Sequence, residues 1–152
     1  MKDIFFFWWL LLATISLIVC FYDIKKRVIS NKVCLIIFLI CSVICYFMQN
    51  YDSYKYTLSI FTVGFILFRL NIIGGGDVKL MLSFSIAVLP KYQLLTIVVI
   101  LFGGGLMAIG QLIYLKILQI SQMDAKSRGV PYGVPICVGY LFFISVSLLG
   151  KL

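Results

Sequence analysis

Five aspartates are the only acidic residues in this chain of 152, which contains no glutamate and no histidine. Proton-transfer chemistry near neutral pH therefore has few possible owners: Asp3, Asp23, Asp52, Asp77 and Asp124. Two of them stand out by position. Asp23 closes the first long apolar run, and Asp77 follows Gly74-Gly75-Gly76 just ahead of a later one. An ionisable group at the edge of a bilayer is costly to bury and by default marks a functional site. Two carboxyl groups brought together are also a sufficient apparatus for amide hydrolysis without metal, serine or histidine. One acts as general base towards water and the other as proton donor, and like charges at close range favour one shared proton over two ionised groups.

The elements that must position these acids are membrane spans. The chain is 63% hydrophobic, with a mean hydropathy of +1.14, and its apolar residues fall into runs of bilayer-crossing length at about 1.5 Å per residue. Six are read: 4–22, 33–48, 56–70, 74–89, 94–115 and 130–149. The fourth is apolar only over 78–89, ahead of Pro90, and reaches across only if the glycine turn before it also lies at membrane depth. The predicted fold class is all-α, a polytopic membrane bundle of about six helices forming one domain over 1–152. The first run carries bulky Trp8 and Trp9 and lacks a small-residue cleavage site, so it reads as a span and not a cleaved signal.

The net charge of +8 follows the loops. Nine basic residues (Lys25, Lys26, Arg27, Lys32, Arg69, Lys79, Lys116, Lys126 and Arg128) lie beside the odd-numbered loops, against Lys2, Lys55, Lys91 and Lys151 on the other side. The positive-inside rule then places both termini outside and the odd loops in the cytoplasm, which leaves no call for a nucleic-acid partner. Run one ends and run four begins at the same cytoplasmic edge. Asp23 and Asp77 thus share one plane, and they meet if helices one and four pack together. Run six starts at that edge too, with Pro131-Tyr132-Gly133-Val134-Pro135. Asp3, Asp52 and Asp124 read as solvated.

Each feature also has a plainer reading. Asp77 after three glycines and before an apolar run has the form of a helix N-cap. Asp23 opposes the dipole at a helix C-terminus, but pairs with Arg27 at i+4 if the helix continues. The glycine turn provides backbone freedom, or lets a backbone or extended substrate approach Asp77. Lys79 lies two residues from Asp77 and reads as an edge residue that snorkels to lipid phosphate or solvent. Gly64, Gly103, Gly104, Gly105 and Gly110 read as close-packing positions. Cys20, Cys34, Cys41, Cys45 and Cys137 form no C-x-x-C pair and read as structural, so no metal and no cofactor are expected. By helix ends alone, Asp77 at an N-terminus favours the charged form and the role of base, and Asp23 at a C-terminus the neutral form and the role of acid.

Together these residues resemble the type IV prepilin peptidases, polytopic aspartic proteases with a G-x-G-D motif. That motif stands here as Gly74-Gly75-Gly76-Asp77, continuing Val78-Lys79-Leu80. The family's first aspartate follows helix one in a pattern like D-x-x-x-R-x-I-P-N. This chain has Asp23-Ile24-Lys25-Lys26-Arg27-Val28-Ile29-Ser30-Asn31, with Ser30 in place of the usual proline. The segment Pro131-Tyr132-Gly133 is similar to the family's entrance to helix six. The resemblance implies a hydrolase of the cytoplasmic (inner) membrane with Asp23 and Asp77 catalytic and Gly74, Gly76, Lys79, Arg27, Asn31, Pro131, Tyr132 and Gly133 in support. It implies that the enzyme removes the basic leader of pilin-like membrane precursors at the cytoplasmic face. The cysteine-rich insertion of bifunctional members is missing between runs one and two. The chain therefore resembles the short, peptidase-only branch of Flp/Tad-type pilus and archaeal preflagellin enzymes, without methyltransferase activity. Two other classes stay open on the residues: a small proton- or cation-coupled transporter, and a non-enzymatic membrane subunit of a secretion or pilus machine. The transporter reading lacks an inverted repeat, and both its acids lie at one edge instead of near the midplane.

Overall fold

A computed structural model describes residues 2–117 and 130–150 of the chain, with side chains from Ile4 onward. Among the described residues it is all-helical. In chain order the helices are α1 (Lys2–Lys26), α2 (Asn31–Met48), α3 (Ser53–Arg69), α4 (Gly75–Ser85), α5 (Pro90–Ile117) and α6 (Gly133–Leu149). Three of them, α1, α2 and α5, are long and apolar enough to cross a bilayer, and α6 is a shorter apolar helix. This is the architecture of a polytopic membrane protein.

The helix ends differ from the apolar runs in ways that matter for the acids. α1 continues past the end of its run, so that Asp23 lies within its last turn together with Lys25 and Lys26. Two cations there complement the negative end of the helix dipole. The helix stops at Arg27, whose φ of 56° is left-handed, while the Arg27 N–H still donates to the Asp23 carbonyl at 3.0 Å.

α4 is the shortest helix among the described residues. Its 11 residues rise roughly 16 Å at about 1.5 Å each, about half of a hydrocarbon core. Residues 86–89 leave the helix before Pro90, and their backbone groups must be satisfied inside the protein because lipid offers no partners. Asn50 Nδ2 and Ser53 Oγ donate to the Val88 carbonyl at 3.1 and 2.6 Å. Gln93 Nε2 donates to the carbonyls of Ser85 and Val88, and Ser147 Oγ accepts from the Leu89 N–H at 3.1 Å. This buried polar knot ends α4 part-way through the bundle.

Leu80 and Phe84 hold α4 in the core, both fully buried, and Phe84 stacks on Tyr140 of α6 with centroids 5.5 Å apart. α6 is the hub and packs on α1, α5 and α4; α4 packs in addition on α2 and α3. Glycines set the closest approaches: a Cβ on Gly139 would stand 2.7 Å from Ile100, one on Gly103 3.3 Å from Pro135, and one on Gly64 2.9 Å from Val78. The ring of Tyr132 packs against Gly104. Gly105 and Gly110, expected to be packing positions as well, face open space instead. Among the described residues nothing packs within 4 Å of a Cβ at either position.

Candidate active site

Asp23 comes from the last turn of α1 and is 5% exposed. Its Oδ2 accepts a hydrogen bond from the Gly133 N–H at 2.8 Å. Gly133 is the first residue of α6, and its lack of a side chain is what admits the carboxylate: a Cβ there would lie 2.7 Å from the same oxygen. The sequence-level expectation that Asp23 sees only the unfavourable end of its own helix therefore changes. It stands at the C-terminus of α1 and at the N-terminus of α6 together, and a free N–H at a helix start favours the carboxylate form.

Asp77 comes from the first turn of α4 and is half-buried. The helix starts at Gly75, so its N-cap is Gly74, extended at φ −68° and ψ 141°. Asp77 is thus the third helical residue and not the cap expected from the sequence. Its carboxylate folds back over Gly74, where a Cβ would come within 3.0 Å of Oδ2, as the third residue of a capping box does. The other two glycines of the triplet are occupied by side chains of the protein itself: Phe68 lies 3.0 Å from the Cβ position of Gly75, and Ile29 3.3 Å from that of Gly76. Close approach is the reason for these glycines, but the groups that approach are Phe68 and Ile29.

The two carboxylates lie within each other's electrostatic field. They do not meet through a shared α1–α4 interface. Both helices pack on α2 and on α6, and these two bring the ends of α1 and α4 together. The Ile29 contact with Gly76 and the Gly133 contact with Asp23 are the joints.

The supporting residues separate into two groups. Gly133 holds Asp23, Pro131 two residues before it is buried, and Tyr132 packs on Gly104 of α5. Lys79, Asn31 and Arg27 stand around the rim. Lys79 Nζ donates to Asn31 Oδ1 at 3.0 Å, tying α4 to the start of α2, so its side chain has a protein partner and not only lipid or solvent. The Arg27 side chain reaches across to α5, where Nη2 donates to Gln111 Oε1 at 3.4 Å. It acts on Asp23 as a nearby charge. Ser30, in the place of a proline, caps α2 through its backbone: its carbonyl accepts from the N–H groups of Val33 and Cys34, both at 3.1 Å.

Below Asp23 the thiols of Cys20 and Cys137 touch each other and Ser16, one helical turn from Asp23 and Gly133 respectively. This continues a polar seam between α1 and α6 that cysteine spacing in the sequence did not signal. The remaining acids are elsewhere. Asp52 is exposed and pairs with Lys55 at 3.1 Å. The side chain of Asp3, and Asp124, Lys126 and Arg128, lie outside the described residues. Among the described residues no group of three or more cysteine or aspartate side chains is placed to hold a metal ion.

The family model described as the type IV leader peptidase family matches residues 4–109. That range contains α1 to α4, both central aspartates and most of α5. No curated protein and no solved structure matches the chain.

Proposed function

Because this chain belongs to the type IV leader peptidase family, we propose that it is a membrane aspartic endopeptidase in which Asp23 and Asp77 form the catalytic pair. Membership carries peptidase activity in general; the pair, the substrate and the membrane face are our reading. The observation that carries it is the juxtaposition of two sequestered carboxylates, one 5% exposed and the other half-buried, in each other's field at one end of the bundle.

The substrate is a pilin-like precursor with a basic leader ahead of an apolar helix, cut at the cytoplasmic face by a single peptidase domain spanning 1–152. The two groups share one proton. Asp23, held by the Gly133 N–H, is the carboxylate that takes a proton from water, and Asp77 is the acid that protonates the scissile carbonyl oxygen as hydroxide adds. These roles reverse the ones expected from helix ends alone, because the donor from α6 was hidden in the linear sequence. The tetrahedral diol then collapses: the proton gained by Asp23 passes to the leaving nitrogen, the C–N bond breaks, and the diol returns a proton to Asp77. Water supplies the only atoms added to the products.

The test is cleavage of a co-expressed pilin-like precursor by Asp23→Asn and Asp77→Asn. Each substitution should lower the rate by about 10²–10⁴-fold or more, at unchanged membrane abundance. Retained cleavage in either variant excludes the pair.

A further inference from the structure

An apolar groove of about 360 Å³ runs between α3 and α5, with Val78 and Met81 of α4 as its floor. Its flanks are open: Val63 on α3 and Leu94 and Leu101 on α5 are 56%, 78% and 59% exposed. Along α3 the lining extends from Tyr56 to Leu67, a rise of roughly 16 Å, or about three helical turns.

One end of the groove lies beside the glycine turn that carries Asp77. Ile73 and Val78, both in the lining, flank the Gly74-Gly75-Gly76-Asp77 turn, and Met81 is one turn beyond Asp77 on the same face of α4. The other end holds Gln93, which is 1% exposed. Its Nε2 is committed to the carbonyls of Ser85 and Val88, which fixes the amide orientation. Its Oε1 is buried and has no hydrogen-bond partner among the described residues. A lipid acyl chain filling the groove has no donor for that oxygen. A helical peptide segment with one hydroxyl or amide side chain does.

Resting on the assignment of Asp23 and Asp77, we propose that this groove seats the apolar helix of the precursor directly after its scissile bond, with Gln93 Oε1 accepting a hydrogen bond from one polar side chain of that helix. The scissile bond then lies at the Asp77 end, and the polar side chain lies about three turns into the helix. The volume accommodates one face of such a helix, so the opposite face stays in lipid.

The probe is a synthetic precursor with a basic leader and an apolar helix of about 20 residues, bound to the Asp77→Asn enzyme so that it is held uncut. A photoreactive phenylalanine analogue at Val63 or Leu101 should crosslink to the probe. The same group at Phe65 or Phe102, which are exposed on the same two helices but outside the groove, should not. Adducts of lipid mass alone at Val63 and Leu101, or equal crosslinking at all four positions, overturn the proposal. In the otherwise native enzyme, Leu101→Trp should raise KM for the probe by about tenfold, because the larger ring takes groove space in which one apolar side chain of the probe would be buried, while Phe102→Trp leaves KM as it was. An unchanged KM in Leu101→Trp counts against the groove. Among probes carrying a single serine, the one with serine about three turns into the helix should have the lowest KM, by about fivefold; a flat profile removes Gln93 from the site. If the aspartate variants still cleave, the catalytic reading fails irrespective of where the probe crosslinks. If they do not cleave and the probe crosslinks elsewhere, only the groove assignment fails.

Discussion

At the scale of single residues, the strongest constraint on the proposed chemistry is the contact between the Gly133 N–H and Asp23. It orients one carboxylate and supplies the positive end of a helix to it. Gly133→Ala places a methyl group 2.7 Å from Oδ2, well inside van der Waals contact, so either α6 or the carboxylate must shift. Loss of a hydrogen bond to a charged group is worth about 1.5–3 kcal/mol, and precursor cleavage by Gly133→Ala should fall by about 10–100-fold with the protein still in the membrane. Rate measurement alongside the melting temperature in detergent separates this from unfolding. The sequence made Asp23, Asp77 and the Pro131-Tyr132-Gly133 segment visible, because rare side chains at span edges stand out. It could not show that the donor to Asp23 is Gly133, since every residue but proline carries the same N–H and nothing in residue type marks which one is used.

At the scale of elements, α4 is the piece on which the site depends. It starts with two glycines after a glycine cap, residues of poor helix propensity, and is held by Leu80 and Phe84 in the core, by the polar knot at its end, and by the Lys79–Asn31 hydrogen bond to α2. That last bond is exposed, and exposed pairs contribute little. Lys79→Met should therefore change kcat/KM by less than about threefold, and stability by no more than about 0.5 kcal/mol; a larger loss with a displaced pH profile would place Lys79 on the aspartate pair itself. The glycines of α5 and α6 offer a paired measurement. Gly139→Ala drives a methyl group into Ile100 and should destabilise by about 1–3 kcal/mol. Gly105→Ala, in open space, should stabilise by up to about 1 kcal/mol through helix propensity. Denaturation midpoints in one detergent distinguish these outcomes. In sequence Gly105 reads as a packing position and Gly139 is not singled out; the packed neighbours give the opposite order.

At the scale of the whole molecule, we propose from the charge distribution over the loops that both termini lie outside and that the aspartate end of the bundle faces the cytoplasm. A phosphatase that is active only outside the cytoplasm, fused after Leu152, should be active, and a fluorescent protein that folds only in the cytoplasm should be dark there. The reverse pattern would move the catalytic pair to the other face and exclude cleavage of a cytoplasmic leader. The sequence by itself determined the all-helical membrane architecture, the short list of acids and the resemblance to leader peptidases. These depend on local properties, namely composition, run length at a fixed rise per residue, and side chains that are rare. Tertiary structure alone decided the rest: that α2 and α6 bring the ends of α1 and α4 together, that α4 ends early in a buried polar knot, that Asp23 faces a second helix N-terminus, and that an apolar groove runs from beside the glycine turn to Gln93. Each of these is a contact between segments far apart in the chain, 110 residues in the case of Asp23 and Gly133. Such contacts come from packing surfaces and shared backbone groups, which no single stretch of sequence encodes.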